Sequence, residues 1–141
     1  MQPRRIKRVC EIRPEFRDVD ALGFVHNSVY FLWFERGRLQ ILDDAIPMAE
    51  ALGLNIGVVV VENRCSYLRP ARYGDVLKLV TTHKVALPYS GRLEFRHELI
   101  NPAARTVCAE GFCACSIIDI STGRLARGFS PEILARYESL K

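Results

Sequence analysis

The sequence predicts an α+β fold in which an antiparallel sheet of about five strands wraps one long central helix. Two observations carry this. Residues 28–42 read as a proline-free helix whose first half is apolar nearly all round, because Val29, Tyr30, Phe31, Leu32, Trp33 and Phe34 are consecutive at 3.6 residues per turn. Such a helix must be covered. Four strand-like runs follow it and one precedes it, punctuated by proline and glycine.

In chain order, residues 8–16 form the first strand, and Asn27 is expected to cap the helix. Gly37, in mid-helix at a cost of about 1 kcal/mol relative to alanine, implies another backbone packed close. A short segment, 46–54, leads into strands at 58–67 and 76–85, joined by a turn containing Pro70 and Gly74. Leu93, Phe95, His97 and Leu99 alternate with Glu94, Arg96 and Glu98, so this strand should have one buried and one wet face. Its bounds are 88–91 and Asn101-Pro102. The last run is 106–120, with Gly111 placed for a bulge or bend.

Composition narrows the function. The 141 residues, 49% of them hydrophobic, fit a single domain over 1–141. A net charge of +4 is too mild for a dedicated nucleic-acid binder but suits a polyphosphate-bearing ligand. The basic start, Arg4, Arg5, Lys7 and Arg8, reads as a solvated tail without the apolar region of a secretion signal. No apolar run approaches the ~20 residues that cross a bilayer. Five scattered cysteines argue against a disulfide framework and for a cytoplasmic protein. Cys113 and Cys115 share a strand face, but no further ligand pair completes a metal site, and neither metal nor cofactor is expected.

The informative stretch is 17–30, just before the helix. Asp18 and Asp20 at i and i+2, Gly23, and a polar step into a helix start combine an acid-base group with amides able to hold an anion. The same carboxylates also suit a purely structural role, bonding loop amides. His26 reads as a loop histidine, and His83 and His97 as packing or surface residues of strands. Cys65 and Ser66 lack the elbow or triad order of a nucleophile.

The pattern Asp18-x-Asp20-x-x-Gly23-x-Val25-x-Asn27-x-x-Tyr30, followed by Phe34-Glu35, resembles the signature of the 4-hydroxybenzoyl-CoA thioesterase family. Residues 67–75, Tyr-Leu-Arg-Pro-Ala-Arg-Tyr-Gly-Asp, resemble that family's turn between two strands. The resemblance implies a hotdog fold over nearly the whole chain and an acyl-CoA thioesterase hydrolysing a thioester to free acid and CoA. It implies that Asp20 is nucleophile or general base, that Asp18 supports it, and that the Asn27 amide at the helix N-terminus is the oxyanion hole. Gly23, Val25, His26 and Tyr30 would line or shape the substrate site. Glu62 is the reserve acid, since related enzymes place theirs on other elements.

Arg69, Arg72, Arg92, Arg105 and Arg124 are candidates for the CoA phosphates. Residues 86–88 lack the basic group that some relatives carry there, which leaves acyl carrier protein as a possible thiol carrier. Exposed sheet edges favour a homodimer or homotetramer. Two other readings compete: an enoyl-thioester hydratase or dehydratase of the same fold, which needs a His–Asp or His–Glu pair, and a non-catalytic acyl-thioester binding module.

Overall fold

The computed structural model describes residues 4–85, 91–127 and 129–141. The expected strand boundary at 88–90 and the stretch 86–88 lie outside the described residues. Strand β1 (Arg5–Ile12) turns Ile6, Cys10 and Ile12 inward. The basic start is therefore not a free tail: Arg5 and Lys7 are outward positions of this strand, and Arg8, half-buried, is ion-paired to Asp44 at 2.7 Å. The strand stops short of Pro14, which has no N–H to donate, and the chain then makes a single 3-10 turn, Phe16–Asp18.

Helix α1 (Val29–Ala45) and a short α2 (Met48–Gly53) come next, followed by β2 (Ile56–Tyr67), β3 (Leu77–Lys84), β4 (Arg92–Asn101) and β5 (Thr106–Asp119). A two-residue β6 (Arg124–Leu125) and a C-terminal α3 (Pro131–Ser139) complete the chain. The sheet order is β1-β3-β4-β5-β2, with β6 on β5 and every pairing antiparallel. The core architecture matches the sequence expectation, with one more short strand and two more helices. Strand β4 alternates as its sequence requires, burying Leu93, Phe95, His97 and Leu99.

Three local expectations are corrected. Asn27 does not cap α1: Ser28 occupies the N-cap position, and no side chain bonds the first-turn amides from there. Gly37 meets side chains, not backbone, since a Cβ there would overlap Thr81 Oγ1 and lie 2.9 Å from Leu79 Cδ2. Gly111 stays in regular register opposite Cys65 and His97, and the irregularities of β5's pairing fall elsewhere, between Leu99 and Ile100 and between Val60 and Glu62. Gly111 is small because the Phe34 ring covers it, with Cζ 2.6 Å from where a Cβ would stand.

Helix α1 thus lies on the concave face with Phe34 fully buried between Gly111 and His97, whose ring stacks on it at 4.6 Å. The covering is not complete, and Leu32 remains 64% exposed. His97 bonds Thr81 Oγ1 at 3.0 Å, and His83 donates Nδ1–H to the Glu94 carbonyl at 2.7 Å while accepting from the Tyr137 hydroxyl of α3. Both histidines are packing residues. Burial, with Arg38 nearby, holds His97 down at about 3.

In the unfolded chain the same group titrates near ~6.5, so between those values the unfolded state binds more protons. Stability conferred by neutral His97 is present above pH ~6.5 and falls as pH drops towards 3. Lowering the pH from 7 to 5 should cost on the order of 2 kcal/mol, seen as a lower urea midpoint, and His97→Gln should flatten that dependence. Gly111→Ala should destabilise by about 2 kcal/mol in the same assay, because the Phe34 ring is enclosed and cannot retreat.

Candidate active site

The loop before α1 is built from backbone bonds. Asp18 Oδ2 accepts the Glu15 N–H at 2.8 Å, closing the 3-10 turn. Asp20 N–H donates to the Phe24 carbonyl and Gly23 N–H to the Asp20 carbonyl, at 2.8 and 3.0 Å. Gly23 sits at φ +81°, a left-handed conformation that favours glycine. Val25 N–H reaches the Ala71 carbonyl at 2.8 Å, and His26 N–H the Asp18 carbonyl at 2.8 Å. The loop is therefore zipped both to itself and to the residues after β2, where Phe24 and Arg72 form an isolated bridge.

Asp20 Oδ1 accepts from Leu22 N–H at 2.8 Å and Phe24 N–H at 3.4 Å. Its other oxygen has no partner among the described residues. His26 Nδ1 accepts the Ser28 N–H at 3.2 Å and lies 2.7 Å from Ser28 Oγ, so the ring nitrogen is tied to the N-cap residue. The Asn27 N–H has no acceptor among the described residues, while its carbonyl accepts from the Tyr67 hydroxyl at 2.8 Å. Tyr30, buried, accepts the Ala71 N–H at 3.3 Å and packs edge-on against Tyr67 at 5.0 Å. Burial pushes the Tyr67 phenol up to about 12, so it remains a hydrogen-bond donor.

These residues surround a cleft of about 440 Å³ lined by Asp20, Phe24, Val25, His26, Asn27 and Tyr30 from the helix side, and by 67–70 from the end of β2. The sequence-derived site residues Asp20, Val25, His26, Asn27 and Tyr30 all line it, whereas Gly23 lies behind the wall and acts through loop geometry. Sequence reasoning did not select Tyr67 or Phe24. The signal for Tyr67 was present, since it ends a strand beside the Arg69–Pro70 turn.

Other candidates fall elsewhere. Glu62 is absent from the cleft lining and pairs with Arg64 at 3.0 Å and Arg92 at 3.3 Å. Cys65 is half-buried, its thiol pushed up by that burial, and Ser66 lies exposed on β2. None of the three histidines bonds a carboxylate among the described residues. Of the arginines, Arg69 lines the cleft and Arg72 lies 4.8 Å over the Phe24 ring, while Arg92 is tied to Glu62 and Glu94. Arg105 and Arg124 sit beyond the β4 end and in β6.

A long helix wrapped by an antiparallel sheet in this order defines a hotdog-fold protein. Residues 14–137 match the model of the thioesterase-like superfamily, and the chain belongs to that family. This is a broader grouping than the 4-hydroxybenzoyl-CoA thioesterase family that the motif resembles. A protein of Aquifex aeolicus provisionally named an esterase is 34% identical over 68 residues, 48% of this chain and about half (53%) of the relative's length. A hypothetical protein from Thermus thermophilus superposes with a TM-score of 0.80 at 28% identity, over 94% of this chain and 98% of its own. DHNA-CoA thioesterase from Staphylococcus aureus superposes with a TM-score of 0.83 at 19% identity, over 94% and 89% of the two chains. No helix among the described residues is long and apolar enough to cross a membrane.

Tyr67→Phe removes the bond that holds the Asn27 carbonyl. It should cost about 1 kcal/mol of stability by thermal unfolding and raise amide exchange across 27–30, with the sheet's protection unchanged.

Proposed function

We propose that this chain is a single-domain, cytoplasmic acyl-CoA thioesterase hydrolysing an acyl thioester to free acid and thiol. The observation that carries the reading is that one cleft is lined by Asp20, a carboxylate with one oxygen free, and by Asn27, whose N–H at the start of a helix has no acceptor, both among the described residues. The thioester carbonyl oxygen would sit on that N–H, where the helix dipole adds to the hydrogen bond. Asp20, held by its Oδ1, would present Oδ2 to the carbonyl carbon or to a water beside it.

In the general-base course, Asp20 takes a proton as water adds, the tetrahedral oxyanion rests on the Asn27 N–H, and the C–S bond breaks as the proton passes to sulfur. In the nucleophilic course the carboxylate adds directly, the thiolate leaves with a proton from solvent, and water then cleaves the mixed anhydride. The name of the Staphylococcus aureus relative, a DHNA-CoA thioesterase, supports a CoA thioester with an aromatic acyl group as the first substrate to try.

The two sheet edges support a homodimer. β1 presents Arg5 and Lys7, whereas β2 opens with an aliphatic run in which Val59, Val60 and Val61 are 36%, 43% and 50% exposed. Basic residues blunt an edge and an aliphatic run invites pairing, so β2 of one protomer would pair with β2 of its partner.

The test is release of free CoA from a panel of acyl-CoAs. Asp20→Asn should lower turnover by at least ~100-fold with the fold retained, because the amide keeps the loop bonds but cannot take a proton or attack. Undiminished turnover in that variant would remove Asp20 from the chemistry. A single turnover in heavy-oxygen water can reveal the nucleophilic course: label in Asp20 marks the nucleophile, whereas label only in the product acid fits the general base or attack of water on the acyl carbon of the anhydride.

A further inference from the structure

Two aromatic rings stand almost bare beside the cleft. Phe16 and Tyr73 are 83% and 62% exposed and meet edge to face at 6.1 Å. They come from the turn before Asp20 and the loop after β2, the two segments that the Val25–Ala71 hydrogen bond and the Phe24–Arg72 bridge hold together. Water-exposed aromatics in contact are uncommon on a surface without a ligand or partner.

The charge beside them is uneven. Arg13 and Arg17 are matched by Glu11 at 2.6 Å and Glu15 at 2.8 Å. Arg69 and Arg72 have no carboxylate partner among the described residues: Arg69 donates to the Leu68 carbonyl at 3.1 Å, and Arg72 lies over the Phe24 ring. The nearby acids are otherwise engaged, Asp75 with the Arg72 backbone N–H at 2.8 Å and Asp18 with Glu15 N–H. Two uncompensated guanidiniums next to two bare rings match a ligand that carries both phosphates and a flat base.

We infer that Phe16, Tyr73, Arg69 and Arg72 form the docking site for the phosphorylated ADP end of coenzyme A, the rings taking the adenine and the guanidiniums the phosphates. The inference rests on the thioesterase reading and adds a choice of thiol carrier. A phosphopantetheine arm on a carrier protein brings one phosphate and no base, so it would leave the aromatic pair unused. An edge-to-face pair keeps ring surface open for stacking.

The experiment compares one acyl group on CoA with the same group on pantetheine, using the full chain and the double variant Phe16→Ala/Tyr73→Ala. KM for the CoA thioester should rise about tenfold or more in the variant, with kcat and the pantetheine reaction unchanged. Calorimetric binding of adenosine bisphosphate to the wild type, lost in the variant and weakened in Arg72→Gln, gives a readout that needs no turnover. Equal KM values for the two wild-type substrates would overturn the inference while leaving hydrolysis intact. A variant that binds the nucleotide normally, or one whose sedimentation mass changes, would overturn it too, the second by making the patch a contact between protein chains. Nucleotide binding that depends on the rings, without hydrolysis of any thioester, would sustain the site and sink the thioesterase reading.

Discussion

The seating of α1 on the sheet is the constraint from which the rest follows. Phe34 occupies the space over Gly111, and Gly37 is the only backbone that fits above Thr81 and Leu79, so rotation or sliding of the helix meets a side chain in either direction. His97 completes the seat by stacking on Phe34 while Thr81 fixes its ring. Because the helix cannot shift, its first turn is delivered to one place, beside the ends of β2 and the loop that follows.

That placement turns a flexible sequence into a rigid cleft. Residues 18–30 contain no regular element before the helix, yet nearly every amide in the loop is committed to a backbone carbonyl or to Asp20. Two tyrosines then cross-tie the walls: Tyr67 from β2 to the Asn27 carbonyl, and Tyr30 from α1 to the Ala71 amide. The structural role of Asp20 is compatible with the chemical one proposed for it, since Oδ1 organises the loop and Oδ2 has no partner among the described residues. An acid fixed by two amides loses little orientational freedom when it meets a substrate.

The helix and the main strands were legible because burial imposes period and punctuation that a sequence cannot hide. Residues 28–34 and the alternation of 92–100 are of this kind. The C-terminal helix was equally written, with Ser130 accepting the Ile133 N–H, Pro131 at the first helical position, and Ile133 and Tyr137 four apart on the buried face. It was overshadowed by the stronger apolar signals before it. The basic start misled because an edge strand needs only alternate inward residues, Ile6, Cys10 and Ile12, and its outward positions look like a solvated tail. At the site, the residue types of 18–30 could be read, and so could the place of Tyr67 at a strand end, but not its bond to the Asn27 carbonyl, a contact 40 positions away.

The division of labour within the cleft follows from what each bond attaches to. The acid and the uncommitted amide are positioned by main-chain donors and acceptors: Asp20 to Phe24, His26 to Asp18, Val25 to Ala71. None of those bonds uses the side chains of Phe24, Leu68, Arg69 or Pro70, which form much of the remaining wall. Changes of size or polarity at these positions therefore alter the shape of the cleft without moving Asp20 or the Asn27 amide. On the proposed thioesterase reading, the backbone would carry the hydrolytic geometry and the side chains the choice of acyl group.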